Sequence, residues 1–187
     1  MPIRARMGMA FQGGALFGSK TVAENIELPL QEFTKLERST QRIIARIKLG
    51  MVGLDDVMDQ YPSQLSGGMR KRAALARALA LDPDILFFDE PSAGLDPVSA
   101  AGIDQLILQL KKVFDVTIVV VTHEMTSAFA LADRMALMHQ GQFLVVDTPE
   151  VVRRCDHPVV QQFLERRPPE THDGAARFRR FLDDEKL

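Results

Sequence analysis

A single cysteine, Cys155, stands in the 187 residues; it excludes an internal disulfide framework and suits a reducing compartment. Long apolar runs are missing as well, and none approaches the roughly 20 residues that span a bilayer. Nor is there a surplus of basic charge. The 23 Lys and Arg are outnumbered by 25 Asp and Glu, for a formal net charge of -2, which gives no footing for a nucleic-acid partner. Low-complexity tracts and internal repeats are absent too. Near the N-terminus, Arg4 and Arg6 before an apolar stretch faintly resemble a signal peptide. Gln12 interrupts that stretch, however, and no small-residue cleavage site follows. These absences leave a cytoplasmic chain of ordinary single-domain size, long enough to bury a substantial core.

What is present is an alternation of strand-like and helix-like stretches. Residues 7–11 read as a short buried strand ending at Gln12. Residues 21–64 read as helical, with Ile43, Ile44 and Ile47 at helical spacing and Pro62 closing the segment. LSGG at 65–68 opens an alanine-rich helix to about Leu81, stopped by Asp82 and Pro83. The apolar run 85–88 is of the kind that buried parallel strands show, and Asp89, Glu90 and Pro91 follow it at once. An amphipathic helix comes next, with Ile103, Leu106, Ile107, Leu110 and Val113 on one stripe. Residues 117–122 are β-branched throughout and read as a second buried strand, ending at His123. After another helix, 135–139 and 142–146 look like strands turning at Gly141. Thr148 and Pro149 then serve as N-cap and first residue of a further helix. Beyond about Arg167 the chain turns polar, so residues 168–187 are expected to form a tail. This alternation predicts an α/β domain with a mostly parallel sheet. Asp89, Glu90 and His123 fall where its strands end, the edge at which open α/β sheets bind ligands.

The sharpest chemical feature is LSGGMRKR at 65–72. Ser66, Gly67 and Gly68 at a helix start leave several backbone N–H groups unpaired and unobstructed, and the helix dipole adds partial positive charge, as a phosphate requires. Taken alone, an ordinary serine N-cap with glycines in the turn is the plainer explanation, since helix N-caps vastly outnumber anion sites. ILFFDEP lies downstream. Asp89 at a strand tip can hold Mg²⁺, an ion that prefers a few carboxylates plus phosphate oxygens. Glu90 is placed to polarise an attacking water as general base. A solvated acidic turn is the plainer explanation, weaker for two carboxylates directly after four apolar residues. His123 could steady a γ-phosphate, although a lone histidine at a strand end is more often structural or exposed. Gln12 by itself carries almost no information.

Together, LSGG, ILFFDEP, SAGLD and VTHE, in this order and spacing, resemble the nucleotide-binding subunit of ABC transporters. The resemblance implies a P-loop NTPase-like fold with an ABC helical subdomain at about 21–80, within a partial ATPase domain over 1–167. It makes LSGGM the signature motif, Asp89 and Glu90 the Walker B pair, residues 93–96 the D-loop, His123 the switch histidine and Gln12 the Q-loop. Implied with it are ATP and Mg²⁺, and a head-to-tail dimer in which Ser66, Gly67 and Gly68 meet the partner's γ-phosphate. Asp89 and Gln12 would attend the metal, and Asp96 would report across the dimer. A transmembrane permease would hold the chain on the inner face of the membrane. FQGGALF, the long run from LSGGMRKR to SAGLDP, and HPVVQQFL more narrowly resemble the ATPase of MCE-type (Mla-like) phospholipid transporters, which adds an MCE-domain lipid-binding subunit as partner. Another ABC importer or a cell-division ATPase shares the same motifs, and a non-catalytic assembly module is the alternative outside enzymes.

The family's Walker A loop, G-x-x-x-x-G-K-[ST], is not found ahead of Gln12. Its backbone amides and lysine would cradle the phosphates. Residues 13–21, GGALFGSKT, come close, but Ser19 separates the second glycine from Lys20 and the segment follows Gln12 rather than a core strand. The chain therefore reads as N-terminally truncated. Residues 1–187 alone are expected neither to bind ATP tightly nor to hydrolyse it. A missing neighbour strand is also expected to leave 117–122 with an unpaired apolar edge.

Overall fold

The computed structural model describes residues 3–167; the tail expected over 168–187 lies outside them. The chain divides after Leu131 into two compact units.

The first unit is built on three parallel strands, β1 (Met7–Ala10), β2 (Ile85–Asp89) and β3 (Thr117–Val121), in the order β1-β2-β3. Its helices are α1 (Val22–Phe33), α2 (Arg38–Met51), α3 (Gly67–Ala78), α4 (Pro97–Val113) and α5 (Met125–Leu131). The register aligns Gly8, Leu86 and Ile118, then Ala10, Phe88 and Val120. Because side chains alternate along a strand, these six share one face, and that face packs against the helices. Leu86, Phe88, Ile103, Ile107, Val22, Ile26 and Leu49 are fully buried there.

The opposite face behaves differently. Met9, Val119 and Val121 lie on it and are 43%, 40% and 61% exposed. The second buried strand expected at 117–122 is therefore buried on one face only. Its outer edge, as expected, has no strand partner among the described residues. A parallel sheet is ordinarily covered on both faces, so this surface favours self-association of the isolated polypeptide. Val119→Lys should slow aggregation of residues 1–187, with unfolding free energy changed by about 0.5 kcal/mol or less. Static light scattering against concentration reads the effect, and an unchanged onset would exonerate this face.

Local chemistry sets the helix boundaries. Thr21 and Glu24 form a reciprocal capping box at α1: Thr21 Oγ1 accepts from Glu24 N at 3.2 Å, and the Glu24 carboxylate accepts from Thr21 N at 2.7 Å. Asp96 caps α4 by accepting from Val98 N and Ser99 N, both at 3.0 Å, with Pro97 as the first helical residue. On α4 the predicted stripe is buried through Leu110, whereas Val113 is exposed at the helix end. On α2 the isoleucine periodicity marks a helix but not its inner face. Ile43 and Ile47 point outward, while Gln41, Ala45, Lys48 and Leu49 are buried. The buried polar groups are partly satisfied: Gln41 Nε2 donates to Leu36 O at 2.8 Å while its Oε1 has no partner among the described residues, and Lys48 pairs with Asp82.

The second unit contains the antiparallel hairpin β4 (Met135–His139) and β5 (Gln142–Asp147), followed by α6 (Pro149–Arg153) and α7 (Pro158–Leu164). Gln140 and Gly141 both adopt positive φ, so the turn lies where Gly141 predicted it.

Candidate active site

Three parallel strands end on one edge of the sheet, and each delivers a residue singled out by sequence. Gln12 lies just beyond β1, Asp89 ends β2 with Glu90 next to it, and Thr122 and His123 follow β3. The structure joins Glu90 to His123 directly. Glu90 Oε1 accepts from His123 N at 3.0 Å and lies 2.7 Å from His123 Nδ1, while Oε2 accepts from the Thr122 hydroxyl at 3.2 Å. An ionised carboxylate only accepts, so Nδ1 carries the proton in this contact. Glu90 is thereby held in one orientation by three donors.

The backbone at Glu90 is strained. Its φ is +48, a left-handed conformation that a non-glycine residue adopts at a cost of about 1–3 kcal/mol. Glu90 N donates to Val121 O at 2.9 Å, which splices the turn onto the end of β3. Lys71 of α3 donates from Nζ to Glu90 O at 2.8 Å. Burial lowers the Lys71 pKa, opposed by the carboxylates of Glu90 and Asp89.

The signature segment begins α3 as expected. Ser66 is the N-cap, its hydroxyl accepting from Met69 N at 3.2 Å. Helix starts leave their first amides without intrahelical partners, so Gly67 and Gly68 can present theirs to an anion. A Cβ on Gly67 would sit 3.4 Å from Leu95 Cδ2, and one on Gly68 would sit 4.0 Å from Ser99 Cβ. Ser66–Gly68 and the 92–96 segment are therefore neighbours in space. Within the protomer Asp96 is occupied as the α4 cap, and the Ser99 hydroxyl, followed by the N–H groups of Ser99 and Val98, holds its pKa below the ordinary value.

Three further residues escaped sequence reasoning. Lys71 is one. Arg77, also on α3, donates from its guanidinium to Ala15 O at 2.6 Å and Gly14 O at 3.1 Å, clamping the loop after Gln12. Asn25 is fully buried and fixes the same loop from α1. It accepts from Phe17 N at 2.7 Å and donates to Phe17 O at 3.1 Å and Thr21 O at 2.9 Å. Nothing in a lone Asn, Lys or Arg announces such contacts. Asn25→Ala removes the acceptor of Phe17 N, while Phe17 O and Thr21 O keep the backbone N–H groups of Lys20 and of residue 25, and should cost about 1 kcal/mol. Urea unfolding measures it; a change near zero would mean that water replaces the amide.

Among the described residues no group of three or more His, Cys, Asp or Glu could hold a metal by itself. Mg²⁺ ordinarily takes one or two carboxylates and completes its shell with phosphate oxygens and water. The hard oxygens of Asp89 fit that role for an ion arriving with a nucleotide.

Comparison with known proteins agrees with this geometry. Residues 2–93 match the model of the ABC transporter family. The chain belongs to that family. A dimeric post-hydrolysis state of the ATP-binding cassette MJ0796 bound to ADP and Pi superposes with a TM-score of 0.70 at 33% identity, over 78% of this chain and 64% of that one. The intermembrane phospholipid transport system ATP-binding protein MlaF of Haemophilus influenzae is 40% identical over 177 residues, 95% of this chain and 66% of MlaF. The "Probable ribonucleotide transport ATP-binding protein mkl" of Mycobacterium tuberculosis H37Rv is 45% identical over 162 residues, 87% of this chain and 45% of that protein. The ABC chain described here thus spans about half to two thirds of the length of these curated relatives.

Proposed function

We propose that this chain serves as the ATP-hydrolysing subunit of an ABC transporter that moves phospholipid between or across membranes. The observation that carries the reading is the Asp89, Glu90 and His123 cluster at the strand ends, with the LSGG helix start packed beside the 92–96 segment. The phospholipid cargo rests on the similarity to MlaF. Residues 1–167 would form a partial ATPase domain and about 21–80 its helical subdomain.

In this reading two copies associate head to tail. Ser66, Gly67 and Gly68 of one copy would bind the γ-phosphate held by the Walker A loop of the other, a loop that residues 1–187 do not contain, through backbone amides at the positive end of α3. Asp89 would hold the metal, and Gln12, after β1, would sense it and the attacking water. Bound Mg²⁺ would neutralise charge on the phosphate oxygens. Glu90 orients the water and accepts its proton; His123 steadies the phosphate and keeps Glu90 aimed. Asp96, at the start of α4 and close to the signature glycines, would relay occupancy across the dimer. The permease and an MCE-domain subunit complete the assembly, with this chain on the cytoplasmic face of the membrane.

The test is isolation of the native complex from detergent-solubilised membranes through an affinity tag on this subunit. Phospholipid in the complex and ATP-dependent transfer of labelled phospholipid between vesicles are the expected results. Transfer of labelled ribonucleotide instead, the cargo in the mkl name, would overturn the lipid assignment.

A further inference from the structure

We propose that Lys71 is a positioning residue, which holds the Asp89–Glu90 turn by the carbonyl of Glu90 and couples it to the signature helix of the same protomer. The inference rests on the ATPase reading above and adds to it a mechanical link between two halves of the reaction. The ammonium lies 2.8 Å from Glu90 O. That carbonyl also accepts from Ala93 N at 3.2 Å, and Glu90 N is bonded to Val121 O. Three hydrogen bonds thus secure a residue whose φ of +48 would otherwise relax towards the favoured regions. Of the three, only the Lys71 bond comes from a charged donor, and charge-assisted bonds are the stronger class.

Position gives the contact its consequence. Lys71 lies one turn beyond Gly67 on α3, so the amides offered to a partner's phosphate and the ammonium gripping Glu90 belong to one rigid helical segment. A shift of α3 as phosphate arrives must move Lys71, and through it the turn that aims both carboxylates. The α3 start also packs on Leu95 and Ser99, immediately after that turn. A role confined to charge balance would direct the ammonium to a carboxylate oxygen. The nitrogen is instead on the backbone carbonyl, where it governs conformation.

The test uses the native complex carrying Lys71→Met, which keeps much of the apolar stem and removes the donor. We expect kcat for ATP to fall about ten- to a hundredfold, the effect of one charged hydrogen bond, with KM within about twofold. Lys71→Arg should recover most of the loss. In a Glu90→Gln background Lys71→Met should cause no further fall, because both act through the same group. Hydrogen exchange should show faster Glu90 and Ala93 amides with the β2 amides unchanged. Should Lys71→Met fail to accumulate as folded protein, Lys71→Gln is read by the same measurements. An unchanged kcat, a loss confined to KM, or full additivity with Glu90→Gln overturns the assignment of Lys71. Full turnover by Glu90→Gln alone overturns the ATPase reading instead, so the two failures are distinguishable.

Discussion

Glu90→Gln should lower ATP turnover by the native complex about a thousandfold while ATP still binds, within the range that a positioned general base contributes. The substitution is nearly isosteric. The glutamine carbonyl oxygen can still accept from His123 N, and the Thr122 hydroxyl can turn to suit an amide, so the turn at φ +48 keeps its supports from Val121 O and Lys71. What disappears is a group able to take a proton from water. Steady-state phosphate release together with equilibrium binding of labelled ATP separates the two effects: kcat should collapse and the dissociation constant should not. His123→Ala should cost less, since it loosens Glu90 without removing the base. If the glutamine variant turns over within a fewfold of the parent, proton transfer lies elsewhere and the role given to Glu90 is wrong.

Gly8→Ala should destabilise the first unit by about 3 kcal/mol, the upper part of the range for overpacking a close-packed core. A Cβ at Gly8 would overlap the carbonyl oxygen of Ala78 and stand 2.7 Å from Leu86 Cδ2. Ala78 O belongs to the last turn of α3, so the obstruction is backbone and cannot swing aside. Relief requires α3 to move off β1, which would loosen the Arg77 clamp on Gly14 and Ala15 near the other end of that strand. Gly50 provides the control. It lies in α2 with open space around its missing Cβ and no positive φ, and Gly50→Ala should stabilise by about 0.5 kcal/mol or more. Urea midpoints of both variants decide the matter. Equal, small effects would mean that the contact between β1 and α3 is looser than described.

Much of the chemistry was legible before the fold. Asp89 and Glu90 after a run of apolar residues, Ser66 before two glycines, and Thr148 before Pro149 are local signals, and local hydrogen bonding acts on them directly. Periodicity likewise revealed α4 and the strands. It failed at α2, where Ile43 and Ile47 look like a core stripe yet face outward. The inner face there is decided by α1 and α3 packing against Ala45 and Leu49, with Gln41 Nε2 and Lys48 held by Leu36 O and Asp82.

From sequence alone came the α/β class, the strand ends as the candidate site, and the carboxylates, histidine and glycines as its candidate reactive parts. Each depends on residues within a turn or a strand of one another. Tertiary structure alone decided how those parts are held. Lys71 reaches a carbonyl 19 residues away, Arg77 a loop 62 residues away, and Glu90 a histidine 33 residues away. Contacts of that span leave no periodic or local trace, because they exist only after the sheet has brought its strand ends and α3 together.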